Sequence, residues 1–162
     1  MRCATLAALI LLSTAAPASA QEPCDGETLI SPLYSNDTYL IDMDLNVIKT
    51  WHCGNPPGFV AYLLEDGSIL RPCAYPGGYF YGGGLGGRVQ KYNAEGQLIW
   101  NFLFANNDHA QHHDVLMLPN GNVLLIAWER KTLEEVIAAG RVNVYGEMWP
   151  DAFFEIEPEI TT

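Results

Sequence analysis

Three of the four histidines in this chain of 162 residues fall between positions 109 and 113, in the run Asn106-Asn107-Asp108-His109-Ala110-Gln111-His112-His113-Asp114. Imidazole changes charge near neutral pH, so clustered histidines suit proton transfer, nucleophilic attack or metal ligation. A metal ion needs two or more imidazoles converging on one point. His109 and His112 meet that need only if the intervening chain folds back, because H-x-x-H here crosses a loop–strand junction and not a helix face. We therefore expect no metal. Gln111 to Leu118 alternates in polarity and reads as a strand. Period two puts His112 and Asp114 on one face and His113 on the other. His112 and His113 are the candidate catalytic residues, with His112 ranked first for sharing a face with Asp114. His109 and Asp114 are the candidate substrate-binding residues.

The elements that position them come from two alternating templates. Leu64-Glu65-Asp66-Gly67-Ser68-Ile69-Leu70 and Leu118-Pro119-Asn120-Gly121-Asn122-Val123-Leu124 are the same pattern shifted by 54 residues. Asp-Gly and Asn-Gly between apolar runs mark hairpins, and the glycine suits a type I′ turn. In the second template, strands 39–44 and 89–93 each lead through a polar turn to a strand ending at a tryptophan. Trp51 and Trp100 are 49 residues apart. The shift of 54 carries His112, His113 and Asp114 onto Gly58, Phe59 and Val60, so the repeat itself does not demand ionisable groups there.

Four strands in about fifty residues is the period of a propeller blade. The reading is all-β: a hairpin at 39–51, a four-stranded unit at 59–104 and two strands at 111–128. A short helix interrupts near 132–139, with Thr132 and Glu135 as a capping box, Leu133, Val136 and Ile137 as its apolar face, and Gly140 ending it. Ala152 to Glu157 restarts the second template. The expectation is an incomplete β-propeller of about two and a half blades. It occupies 38–162 after a lead-in at 21–37, is truncated at its C-terminal end, and needs further blades to close.

Residues 1–20 combine Arg2, an apolar run and Ala18-Ser19-Ala20, the order of a cleaved signal peptide; this predicts a secreted or periplasmic protein that is not membrane-bound. The acidic excess is large, 19 Asp and Glu against 8 Lys and Arg for a net charge of −11, and it excludes nucleic acid as a partner. Beyond the signal peptide lie Cys24, Cys53 and Cys73. Export makes a disulfide among them an expectation whose pairing stays open. No C-x-x-C pair points to zinc. Asn36-Asp37-Thr38 fits a glycosylation sequon. Gly82, Gly84 and Gly87 have dinucleotide-motif spacing, but the strand-like run 88–92 follows where that motif needs a helix. Nucleotide binding is not expected. Tyr75, Tyr79, Phe80 and Tyr81 flank this loop; packing is favoured over ligand stacking.

The stretch Gln111-His112-His113-Asp114 through Lys131, with 86–102 before it and 151–158 after it, resembles the arylsulfotransferase family. The family's members are exported bacterial six-bladed propellers. The resemblance implies ping-pong sulfuryl transfer from an aryl sulfate to a phenol through a sulfated histidine. It implies no cofactor, and it implies channel histidines and an arginine that stabilise the transferring group. His112 or His113 matches a family channel histidine. The family's nucleophilic histidine and channel arginine come from later blades, and neither Arg130 nor Arg141 lies in a motif matching that arginine. The chain alone is thus expected to be an inactive fragment. The competing function is a non-catalytic exported propeller that binds a ligand or protein.

Overall fold

A computed structural model of the chain describes residues 24–84 and 86–159. The expected signal peptide at 1–20 lies outside the described residues. Among the described residues ten strands form three antiparallel sheets with almost no helix. Sheet 1 contains β1 (Thr28–Ile30), β2 (Asp37–Ile41) and β3 (Val47–His52). Sheet 2 contains β4 (Tyr62–Leu63), β5 (Ile69–Ala74), β6 (Gly87–Tyr92) and β7 (Leu98–Leu103). Sheet 3 contains β8 (His109–Met117), β9 (Val123–Glu129) and β10 (Asp151–Ile156), in the order β10-β9-β8. Within each sheet the strands pair with their sequence neighbours, as a meander. The described residues form no closed barrel or ring.

The expected hairpins are present, and sheet 1 gains a strand: β1 falls inside the segment read as lead-in and pairs with β2. The turns share one geometry. In each, the backbone N–H five residues before the closing strand's start, at Asp42, Leu64, Asn93 or Leu118, donates to the carbonyl of Asn46, Ser68, Gln97 or Asn122. Gly67, Gly96 and Gly121 take positive φ, while Asp66 and Asn120 do not. That is a type I turn closed by a left-handed residue. The expected type I′ turn needs positive φ at both central residues. The asparagine and aspartate instead accept backbone N–H bonds two residues on, from Ser68 at 3.0 Å and from Asn122 at 3.0 Å.

The turns also correct the alignment of the second template. Asp42 and Asn93 hold the same turn position, a shift of 51 residues and not 49. Both following ladders carry a bulge at the same place, with Lys49 opposite Leu40 and Trp100 opposite Lys91. Trp100 is therefore the counterpart of Lys49, and Trp51 the counterpart of Phe102. The two tryptophans thus stand two residues apart in the shared frame, on the same face of their strands.

The sheets stack in chain order. Leu40, Trp51 and Cys53 of the sheet 1 region pack on Ile69 and Tyr92 of sheet 2. The other face of sheet 2, with Leu70, Val89 and Trp100, packs on Val115, Val123, Leu125 and Ala127 of sheet 3. Strand alternation explains this double use: Ile69 and Leu70 are adjacent, point oppositely and are both fully buried. Arg71, also fully buried, ties the first pair of sheets together. Its guanidinium donates to the Thr38 hydroxyl at 2.9 Å, the Asn36 carbonyl at 3.2 Å and the Asn55 carbonyl.

The predicted helix is α1 (Leu133–Ala138). Thr132 accepts from the Glu135 N–H and the Glu135 carboxylate accepts from the Thr132 N–H, which is the expected capping box. Val136 is its buried residue; Ile137 faces solvent. No described helix is long and apolar enough to cross a membrane.

Candidate functional site

The histidine run does form the start of a strand, but its alternation breaks where the chemistry lies. On β8, Gln111 faces Ala127 and Val115 faces Leu125, so the residues between them bulge against Ile126 alone. His113 takes a positive φ of 53° within the bulge. A bulge re-aims side chains and leaves residues unpaired. His112 and Asp114 consequently do not share the face that period two assigns them. His112 turns toward the outer face of sheet 3, whereas Asp114 accepts a hydrogen bond from the Tyr62 hydroxyl at 2.8 Å and one from the Val115 N–H at 2.7 Å.

His112 is 3% exposed and lies flat on Trp128, with ring centroids 3.9 Å apart. Its Nδ1 is 2.8 Å from Nδ1 of His113. Its Nε2 is 3.2 Å from a carboxylate oxygen of Asp151, but off the line of the ring N–H, so this contact is electrostatic and not an aligned hydrogen bond. Burial holds the His112 pKa below the ordinary histidine value. The Asp151 carboxylate opposes that shift, and the charge on His113 adds to it.

Those contacts favour one set of proton positions. An ionised carboxylate only accepts, so Asp151 favours the proton of neutral His112 on Nε2. Nδ1 of His112 is then the acceptor, and Nδ1 of His113 the donor. His113 is left with an unprotonated Nε2 on an exposed side chain. The order Asp151–His112–His113 orients one imidazole through another and ends on the exposed His113, whose ring Gly84 approaches closely.

The glycine loop between β5 and β6 closes one side of this corner. A methyl group on Gly84 would collide with the His113 ring, one on Gly82 with Trp128, and one on Gly86 with the Gln111 side chain. Close approach is thus what these glycines provide, and a strand follows them. Phe59 covers His113 from another side at 5.6 Å.

The aromatic residues of the loop divide. Phe80 stacks on Trp149 at 4.7 Å and meets Trp128 edge-on at 5.0 Å, which is packing. Tyr79 and Tyr81 are exposed, and Tyr79 lies beside Trp149 with the Arg130 guanidinium 5.6 Å from its ring centre. Arg130 itself is held by Glu147 at 2.7 Å. A wall of aromatic surface therefore adjoins the histidine pair.

His109 is elsewhere. Its ring packs between Phe104 and Phe154, at 4.9 and 5.0 Å, on the face turned toward sheet 2. The structure brings together His112 and His113 but neither His109 nor Asp114 with them. Sequence reasoning missed Asp151 and Trp128. Trp128 is on β9, which pairs with β8, and Asp151 is opposite it on β10; their only sequence signal is their place at the strand ends. Among the described residues no three His, Cys, Asp or Glu side chains converge as a metal site would require. Cys24, Cys53 and Cys73 are all free thiols; burial pushes the Cys73 thiol up to about 11.

No family model, curated protein or solved structure matches the chain.

Proposed function

We propose that the three sheets are successive blades of an exported β-propeller, and that the Asp151–His112–His113 corner accepts a sulfuryl group from an aryl sulfate and passes it to a phenol. The observation that supports this reading is the ordered run of contacts ending on the free Nε2 of His113, set beside exposed aromatic surface. The resemblance to arylsulfotransferases points the same way. This reading puts the nucleophile in this chain, where the resemblance puts it on later blades.

In the first step the His113 Nε2 lone pair attacks sulfur. A nitrogen–sulfur bond forms, the sulfur–oxygen bond to the aryl group breaks, and the phenolate leaves with that electron pair. The positive charge that develops on His113 is met by neutral His112, which accepts from its Nδ1–H, and by the Asp151 carboxylate behind it. In the second step a phenol oxygen attacks the same sulfur, the nitrogen–sulfur bond breaks, and its electrons return to Nε2. The phenol's proton goes to solvent. No cofactor enters either step.

Incubating the chain with p-nitrophenyl sulfate is expected to release p-nitrophenolate and to leave one sulfuryl group on the peptide containing His113, removable by added phenol. Absence of both the release and the modified peptide, in a chain that is folded, would sink the proposal. The exposed Tyr79 beside Trp149 favours one other reading, a binding site without turnover. It predicts that aryl sulfates quench tryptophan fluorescence, and that they still do so in His113→Ala.

A further inference from the structure

We infer that Gln111 is the positioning residue of the histidine pair: its buried side-chain amide locks the β8 bulge and so aims the His113 ring at His112. The consequence for catalysis rests on the sulfuryl-transfer reading; the placement of the ring does not.

Gln111 is 0% exposed. A primary amide offers two N–H donors and one carbonyl, and here all three are used. Nε2 donates to the His112 carbonyl at 3.0 Å and to the Asp114 carbonyl at 3.3 Å. These bonds grip the backbone on either side of His113, the residue that takes a positive φ of 53°. Oε1 accepts from the Gly87 N–H at 2.9 Å, which ties the bulge to the glycine loop. That loop also holds His113 directly, since the His113 N–H donates to the Gly84 carbonyl at 2.9 Å. With the backbone pinned at these points, only the side-chain torsions remain to place the ring. The Nδ1 atoms of the two imidazoles then stand 2.8 Å apart.

The counterpart corner in sheet 2 shows that the bulge does not need this amide. The shift of 54 residues puts Pro57 at the place of Gln111 and Phe59 at that of His113. Proline has no amide side chain to offer, yet Phe59 takes a positive φ of 99°. The amide thus comes with the imidazoles, in the one corner of the two where the aim of a ring decides the place of a proton. The glycine loop is shaped around it. Gly86 does not take positive φ, but a methyl group there would overlap Oε1 of Gln111; a methyl on Gly83 would meet nothing.

An unlocked bulge lets the His113 ring swing off His112. Its Nδ1 proton then loses its acceptor, and the ring returns to Nε2–H, the tautomer a free imidazole side chain prefers. In the sulfuryl-transfer reading that proton sits on the atom that attacks sulfur, so the released ring is inert as well as misplaced.

Nitrogen-15 NMR of the imidazoles at about pH 8, above the histidine range, reads the tautomer without substrate. Wild-type His113 is expected as Nδ1–H, and the side-chain N–H groups of Gln111 are expected to exchange slowly with deuterated water. Gln111→Met keeps a side chain of similar size and removes every bond of the amide. Gly86→Ala leaves Gln111 in the sequence and pushes its amide aside. Both are expected to shift His113 to Nε2–H in a folded chain. Both are also expected to lower kcat for sulfuryl transfer about ten- to a hundredfold with KM unchanged. Gly83→Ala is expected to change neither. A wild-type His113 found as Nε2–H, a folded Gln111→Met that keeps the wild-type tautomer, or a Gly83→Ala that loses it would each overturn the inference. Should Gln111→Met fail to fold, an unshifted tautomer in Gly86→Ala or fast exchange of the wild-type Gln111 amide overturns it instead. A tautomer that shifts as expected in a chain that transfers no sulfuryl group would leave Gln111 in this role and remove only the enzymatic reading.

Discussion

Residues 58–60 and 112–114 are the same corner built twice. Pro57 bridges Cys73 as Gln111 faces Ala127, 54 residues on. Phe59 and His113, at equivalent positions, both take positive φ, 99° and 53°. Side chains rarely adopt that conformation, and for a bulky residue such as phenylalanine it is a clear outlier. The two rings even touch. What differs is the chemistry: Gly-Phe-Val in sheet 2 and His-His-Asp in sheet 3. The bulge is therefore scaffold, and the imidazoles are an addition to it. What the added residues gain in sheet 3 is a pair of neighbours. By the same shift Trp128 corresponds to Ala74, and by the ladder Asp151 corresponds to Gly87. Sheet 2 thus lacks the surface on which His112 lies and the carboxylate behind it.

The comparison breaks most directly at His113. His113→Ala is expected to lower sulfuryl transfer by about 10³-fold with little change in melting temperature, since the ring is exposed. Phe59→Ala, at the sister position, is expected to lower it less than tenfold. Equal losses in steady-state kinetics would mean that the corner's shape matters and its imidazole does not. Grafting gives the converse. A His113→Phe, Phe59→His double variant moves the imidazole to the scaffold that lacks His112 and Asp151, and is expected to show no recovery.

Asp151→Asn comes next. The amide keeps the shape and loses the charge, so the proton on His112 is no longer held at Nε2. Transfer is expected to fall about ten- to a hundredfold, less than for a buried triad aspartate, because Asp151 is largely open to solvent and its contact is not aligned. The His112 proton resonances should titrate at lower pH than in the wild type, because the carboxylate opposes the effect of burial. A titration that moves upward would show that Asp151 does not act on His112.

How much of this was legible in the sequence follows from range. Local signals carried well: the Asp-Gly and Asn-Gly turns, the Thr132–Glu135 capping box, and the strand after the glycine loop each stand where the residues put them. Two local rules failed for physical reasons. Period two does not survive a bulge, so Asp114 joined Tyr62 and not His112. Pattern alone does not separate a type I turn with a left-handed glycine from type I′. Long-range neighbours were out of reach. Asp151 follows His112 by 39 residues, across a strand, a helix and a loop, and only pairing β10 with β9 brings it beside the imidazole. His109 shows the reverse error. Its place in the cluster suggested function, while its strand position points it into the aromatic core.

The pH dependence of stability is a smaller effect with a definite sign. The folded state holds His112 below its ordinary value, so between that value and the folded one the unfolded chain binds more protons. Stability is then full above about pH 6.5 and falls as pH drops through the histidine range, at no more than about 1.4 kcal/mol per pH unit for one group. Urea unfolding at steps from pH 7.5 to 5 should show this decline, and His112→Gln should flatten it. Phe59 and Gly58 at the sister corner titrate nothing, so a slope unchanged in His112→Gln would assign the decline to other groups.

The smallest effect extends the comparison from corners to turns. Gly67, Gly96 and Gly121 close their hairpins with positive φ, and Leu45 holds the same position in the first hairpin at 65°. A leucine in that region clashes with its own backbone, at a cost of about 1–2 kcal/mol. Its side chain is exposed and recovers little by packing. Leu45→Gly relieves the clash but loosens the unfolded chain, which offsets up to about 1 kcal/mol. The net expectation is a gain of about 0.5–1 kcal/mol in urea unfolding, with transfer unchanged. Gly96→Leu, the reciprocal change in sheet 2, should lose stability. If both substitutions destabilise, then Leu45 makes a contact worth more than its strain. The exposed Val47 and Ile48, two and three residues on, are the side chains nearest to it in the chain, and truncating each in turn would locate that contact.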